Sequence, residues 1–188
     1  MNDTTQRWLI TLAVALLAIG IYFLHGNGWM GYDRSDILHG QVWRLISGNF
    51  AHANARHLAA DLAGLILWTA LAGYLETPRR YLIMLFGTSL GVGLGLFFLD
   101  PRLGWYVGLS GVLHGLFAAS AITLLSRKEW LGGLALGAAL IFKILWEQHY
   151  GDWGSARLLG VPVIVDAHLY GAITGLGIAL ALLFFRRA

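Results

Sequence analysis

Ser110 and His114 stand four residues apart, as do His57 and Asp61, and His168 opens a stripe that continues with Gly171 and Gly175. Residues four apart share one helix face, so each pair would present both polar groups to the same neighbour. A serine hydroxyl becomes a nucleophile when a base removes its proton, and a neutral imidazole within hydrogen-bond reach does so near neutral pH. Attack on a carbonyl also requires donors for the oxyanion that forms. The Ser110 N–H is one such donor if Ser110 begins a helix, because the first amides of a helix have no intrahelical partner. His57 is a second candidate. The chain has no cysteine, which excludes thiol catalysis, disulfides and zinc–cysteine sites. It has no H-E-x-x-H motif, which argues against a zinc protease. A haem or metal site made from His57, His114 and His168 is the less favoured alternative, and no cofactor is expected.

The elements that must position these groups are membrane helices. Of 188 residues, 57% are hydrophobic and 12% charged, with a mean hydropathy of +0.66. Soluble domains carry roughly 45–50% apolar and about 25% charged residues. Each membrane span takes about 20 apolar residues, and six apolar runs are legible: Trp8–Leu24, Leu58–Leu75, Tyr81–Leu99, Ser110–Leu125, Leu131–Trp146 and His168–Phe185. The expected fold is therefore all-α, one six-span membrane domain over residues 1–188. The first run reads as a retained helix rather than a cleaved signal, since it is long, lacks an A-x-A pattern and precedes further spans. Small residues four apart, such as Gly87, Gly91 and Gly95, or Gly111 and Gly115, let such helices approach closely.

Basic residues favour the cytoplasmic side. With the N-terminus inside, Arg7, Arg79, Arg80, Arg127, Lys128, Arg186 and Arg187 lie at inner ends. Arg34, Arg44, Arg56, Arg102 and Arg157 lie outside. Both termini are thus expected in the cytoplasm. The basic pI near 9.4 has this origin, and no nucleic-acid partner is expected. Trp8, Trp29, Trp105, Trp130 and Trp153 fit interfacial belts.

On this topology Ser110, His114, His57, Asp61 and His168, drawn from three distant stretches, fall at one depth just inside the outer leaflet. Ionisable groups inside spans are costly and mark functional sites by default. If the glycine faces of the fourth and sixth helices pack, His168 reaches Ser110. Lys143 and Glu147, four apart near the outer end of the fifth run, are explained by snorkelling and pairing. His52 reads as loop scaffolding.

These residues resemble the rhomboid family of intramembrane serine proteases over about residues 40–180. Gly108-Leu109-Ser110-Gly111 is similar to the family's G-x-S-G motif, and Ala167-His168-Leu169-Tyr170-Gly171 with Gly175 to its A-H-x-x-G-x-x-x-G motif. Trp43-Arg44 looks like the W-R pair of the first outer loop, and His52 and His57 follow with the family's H-x4-H spacing. The resemblance implies a Ser110–His168 dyad, with His57 helping to line the oxyanion hole. It also implies a wet site below the outer surface, and substrate admitted sideways past the fifth helix. There Phe142 and Trp146 look like an aromatic gate, or are ordinary lipid-facing packing.

Two positions depart from the family pattern. Asp61 replaces the usual Asn. Either it is protonated, or it pairs with His57 and keeps that ring charged as a donor, the preferred alternative. His114 stands where relatives have Tyr or Phe, and would stack on His168 or relay a proton. These departures, with the Gly-Leu-Ser-Gly-Val-Leu-His-Gly string, resemble the rhombosortase branch. That likeness implies processing of C-terminal Gly-Gly anchors of exported proteins at the inner membrane of Gram-negative bacteria, with the site opening to the periplasm. A general rhomboid protease of single-span helices, or a non-catalytic module that binds transmembrane helices, are the alternatives.

Overall fold

The computed structural model describes residues 1–152 and 154–187, the side chains of residues 186 and 187 excepted. The expected interfacial Trp153 and the charged ends of Arg186 and Arg187 lie outside what is described. In chain order the helices are α1 (Asp3–Phe23), α2 (Asn27–Met30), α3 (Arg34–Leu38), α4 (Arg44–Ser47), α5 (Ala55–Leu71), α6 (Pro78–Leu99), α7 (Ser110–Ser126), α8 (Trp130–Tyr150), α9 (Ser155–Leu159) and α10 (Val165–Arg187). Single 3-10 turns occupy Gly48–Phe50 and Gly73–Leu75.

Local sequence explains the boundaries, which differ from the apolar runs by up to five residues. Asn2 caps the Thr5 N–H, so α1 begins at Asp3, ahead of its first apolar residues. Asn54 caps the His57 N–H, which starts α5 at Ala55. Thr77 caps the Arg80 N–H, with Pro78 in the first turn of α6. The second run was expected to reach Leu75, but α5 ends at Leu71 and the chain tightens into a 3-10 turn. The fifth run was expected to stop at Trp146. Instead α8 continues to Tyr150, which makes Glu147 helical.

The reading as purely helical misses one small feature. Tyr32–Asp33 (β1) pairs antiparallel with Trp105–Tyr106 (β2), in register Tyr32 to Tyr106. Two residues per strand are too short to leave a periodic signal.

Helices α1, α6, α8 and α10 are long and apolar enough to cross a membrane. Helices α5 and α7 have 17 residues each, and α7 is a shorter apolar helix. The main core gathers Leu65, Trp68, Leu85, Leu109, Leu116 and Ala119 between α5, α6 and α7. Trp68 satisfies its indole N–H on Ser120 Oγ at 3.0 Å.

The tightest packing is α7 against α10. A Cβ on Gly171 would overlap the Gly111 carbonyl, and one on Gly175 the Gly115 carbonyl. Alongside, Gly87, Gly91 and Gly95 of α6 receive Ile178, Thr174 and Tyr170 of α10. Without side chains at these crossings the backbones come closer than Cβ atoms permit, which is how small residues drive apolar helices together. At the end of the bundle away from Ser110, Arg7 donates to the Glu76 carbonyl at 2.9 Å and Arg80 to the Leu182 carbonyl at 3.0 Å. Arg127 donates to the Leu75 carbonyl.

Candidate active site

Ser110 is the first residue of α7. The Gly faces bring the first turns of α7 and α10 together, so that His168 Nε2 lies 2.9 Å from Ser110 Oγ. Ser110 is half-buried and His168 is buried. His114, one turn below Ser110, stacks its ring on that of His168, with centroids 4.0 Å apart and planes 11° from parallel. Its Nδ1 lies 2.7 Å from the Ser110 carbonyl oxygen.

The loop before Ser110 is held by a buried polar cluster. Asp61 Oδ2 accepts the Leu109 N–H at 2.7 Å, with His52 Nε2 at 3.1 Å and His57 Nε2 at 3.4 Å. The carboxylate therefore fixes the chain immediately before Ser110. It does pair with His57 as the sequence suggested, but it shares itself with His52, which a scaffold reading had left apart from the site. His52 is in turn tied through its backbone to the Asn27 side chain, at 2.6 and 3.2 Å. The other ring nitrogens of both histidines, Nδ1 of His52 and Nδ1 of His57, are buried without a hydrogen-bond partner among the described residues.

Gly108 has φ +129, a backbone state that L side chains rarely adopt, and a Cβ there would lie 2.6 Å from His57 Nε2. Glycine is required on both counts. Tyr106 donates to the Gly108 carbonyl at 2.7 Å. Burial, reinforced by the nearby Asp61 charge, pushes its phenol above the usual range, which keeps it a donor. The Trp43-Arg44 pair braces the loop more remotely. Arg44 donates to the Gly31 and Gly28 carbonyls at 2.7 and 2.9 Å and pairs with Asp36 at 2.8 Å, while Trp43 is half exposed.

The residue that sequence reasoning missed is Glu147. It does pair with Lys143, as expected, but it is not a snorkelling surface group. Its side chain is 0% exposed, and Oε2 lies 2.8 Å from His168 Nδ1. The available signal was an acid on an apolar helix at the depth of a histidine whose second nitrogen needed an acceptor.

Phe142 and Trp146 sit on the same helix with ring centroids 6.1 Å apart, Phe142 exposed and Trp146 half-buried. Beside Ser110 and His114, between α7 and α8, an apolar cavity of about 310 Å³ is walled by Leu113, Phe117, Leu136 and Leu140.

The structure does not gather the three histidines once weighed as a metal set. His57 belongs to the Asp61 cluster, whereas His114, His168 and Glu147 lie together, with ligand atoms within 4.8 Å of one another. Parallel stacked rings aim their in-plane lone pairs side by side, not at a common point. Three of the four ring nitrogens of this group also face Ser110 Oγ, the Ser110 carbonyl and Glu147.

Residues 39–185 match the Rhomboid domain family. The chain is 30% identical over 184 residues to "Rhomboid protease GlpG" of Yersinia enterocolitica, covering 92% of this chain and 62% of that protein. It is 28% identical over 171 residues to "Rhomboid-like protein 11, chloroplastic" of Arabidopsis thaliana, covering 86% and 61% respectively. The chain thus spans about three-fifths of the length of these curated relatives. With the family match extending over most of the sequence and both sequence motifs meeting at one pair of helix ends, the chain belongs to the rhomboid family.

Proposed function

We propose that the protein is an intramembrane serine endopeptidase in which Ser110 is the nucleophile and His168 the general base and then acid. The observation that carries this is the 2.9 Å approach of Ser110 Oγ to His168 Nε2 between two tightly packed helix ends. As Oγ attacks the scissile carbonyl, His168 Nε2 takes its proton. The imidazolium then returns that proton to the departing amine as the C–N bond breaks. Water attacks the acyl-enzyme, giving a proton to His168, and Ser110 leaves with that proton while the carboxylic product departs. The Ser110 N–H, at the unsatisfied start of α7, and His57, whose Nδ1 has no partner among the described residues, supply donors for the oxyanion.

The six long helices form a six-span bundle in a bacterial inner membrane, both termini cytoplasmic and the site opening toward the periplasm. Arg7, Arg80 and Arg127 at the opposite end from Ser110 support that orientation. Substrates are membrane-anchored exported proteins that reach the site from the lipid past Phe142 and Trp146. The rhombosortase-like motifs favour C-terminal Gly-Gly anchors, whose glycines unwind easily and expose a carbonyl. General cleavage of single-span helices is the broader alternative.

Cleavage of a membrane-anchored reporter bearing a Gly-Gly anchor, and labelling by a fluorophosphonate, are expected in the native chain and abolished in Ser110→Ala. Undiminished cleavage by Ser110→Ala would overturn the proposed nucleophile, and no cleavage by the native chain would leave a helix-binding role.

A further inference from the structure

Building on that assignment of Ser110 and His168, we infer that Glu147 is a positioning residue for the base, so that the chemistry uses a Ser110–His168–Glu147 triad assembled from three helices. A neutral imidazole carries one N–H, and an ionised carboxylate only accepts. Glu147 Oε2 at 2.8 Å from Nδ1 therefore selects the tautomer with the proton on Nδ1. The Nε2 lone pair is left facing Ser110 Oγ. The ring plane is set independently by the His114 stack. When His168 takes the serine proton, the adjacent carboxylate stabilises the imidazolium. Burying a carboxylate is expensive unless it is paired and hydrogen-bonded, and both Glu147 oxygens are engaged, Oε1 by Lys143 and Oε2 by His168.

Lys143 makes the assignment testable, because an ammonium can only donate. In Glu147→Gln the side-chain carbonyl is held by Lys143, which turns the amide NH2 toward His168 Nδ1. That forces the lone pair onto Nδ1 and the proton onto Nε2, the wrong tautomer for accepting from Ser110. Removing Lys143 as well frees the amide to rotate and accept from Nδ1–H.

The experiment measures fluorophosphonate labelling rates and reporter cleavage for the native chain and for Ser110→Ala, Glu147→Gln, Glu147→Asp and the double variant Glu147→Gln/Lys143→Met. We expect Glu147→Gln to lower kcat by about 100-fold or more, within the roughly 10⁴-fold range of tautomer loss in serine triads, with KM within about twofold. The double variant recovers at least about tenfold relative to Glu147→Gln, and Glu147→Asp retains part of the rate. A tie that merely joined α8 to α10 would give neither the kcat–KM split nor recovery on losing a second contact. Should Glu147→Gln fail to fold, ¹⁵N NMR of histidine-labelled native protein decides: neutral His168 protonated on Nδ1 supports the triad, and protonation on Nε2 overturns it. Glu147→Gln within twofold of native in both assays also overturns it, and so does the absence of recovery in the double variant. Loss of all activity in Ser110→Ala alongside a native-like Glu147→Gln rejects the triad alone. Retained activity in Ser110→Ala rejects the underlying assignment.

Discussion

At the residue scale, the site depends on which atoms are left to face the reaction. Asp61 illustrates this. An ionised carboxylate facing an oxyanion would repel it, but that of Asp61 is turned onto the Leu109 N–H and two histidines. Asp61→Ala would leave that buried N–H unsatisfied at a cost of about 1–3 kcal/mol. A lowered melting temperature in detergent, with reduced fluorophosphonate labelling, is expected. Asp61→Asn keeps one acceptor for Leu109 and should lose less on both measures. The Ser110 and His168 positions were legible in the sequence because each sits in a spaced motif with glycines. Glu147 was not, because a Lys–Glu pair four apart on an apolar helix has a sufficient surface explanation. Only the fold reveals that α10 crosses over that carboxylate.

At the scale of elements, glycine placement decides the Ser110–His168 distance. The stripes on α7 and α10 were visible as small residues four apart, although their pairing, Gly171 on Gly111 and Gly175 on Gly115, came only with the packed structure. Gly171→Ala inserts a methyl against the Gly111 carbonyl. Overpacking of this kind costs about 1–3 kcal/mol. Displacement of a catalytic group by ~1 Å costs about 100-fold, so the expected result is a folded chain with cleavage lowered about 10- to 100-fold. Gly177→Ala on the same helix meets nothing within 4 Å and should be silent. A Gly177→Ala loss as large as that of Gly171→Ala would show that stiffening of the helix by alanine, not close approach, is responsible. Helix ends were the least legible feature, because caps such as Asn2 and Asn54 act on backbone N–H groups that hydropathy does not register.

At the scale of the whole molecule, most lateral surface is apolar. Leu12, Leu16, Phe86, Leu134, Ile141 and Phe184 are all exposed, far beyond the apolar patches that a soluble monomer displays. The absence of cysteine offers a direct check on orientation. Single cysteines at Lys128, beyond the end of α7, and at His39, in the long loop before α5, should react differently with a membrane-impermeant maleimide in intact spheroplasts. Labelling is expected at His39 and not at Lys128. The reverse pattern would invert the proposed topology and place the site on the cytoplasmic side.

The location of Ser110, Glu147 and His168 on α7, α8 and α10, in that order along the chain, also bears on timing. On the proposed mechanism, translation delivers the serine first and the imidazole last, so a nascent polypeptide carries a hydroxyl of ordinary reactivity until α10 has emerged from the ribosome and seated its glycines against α7. Hydrolytic competence would then arise only on that docking, and a half-made copy would pose no hazard to neighbouring proteins.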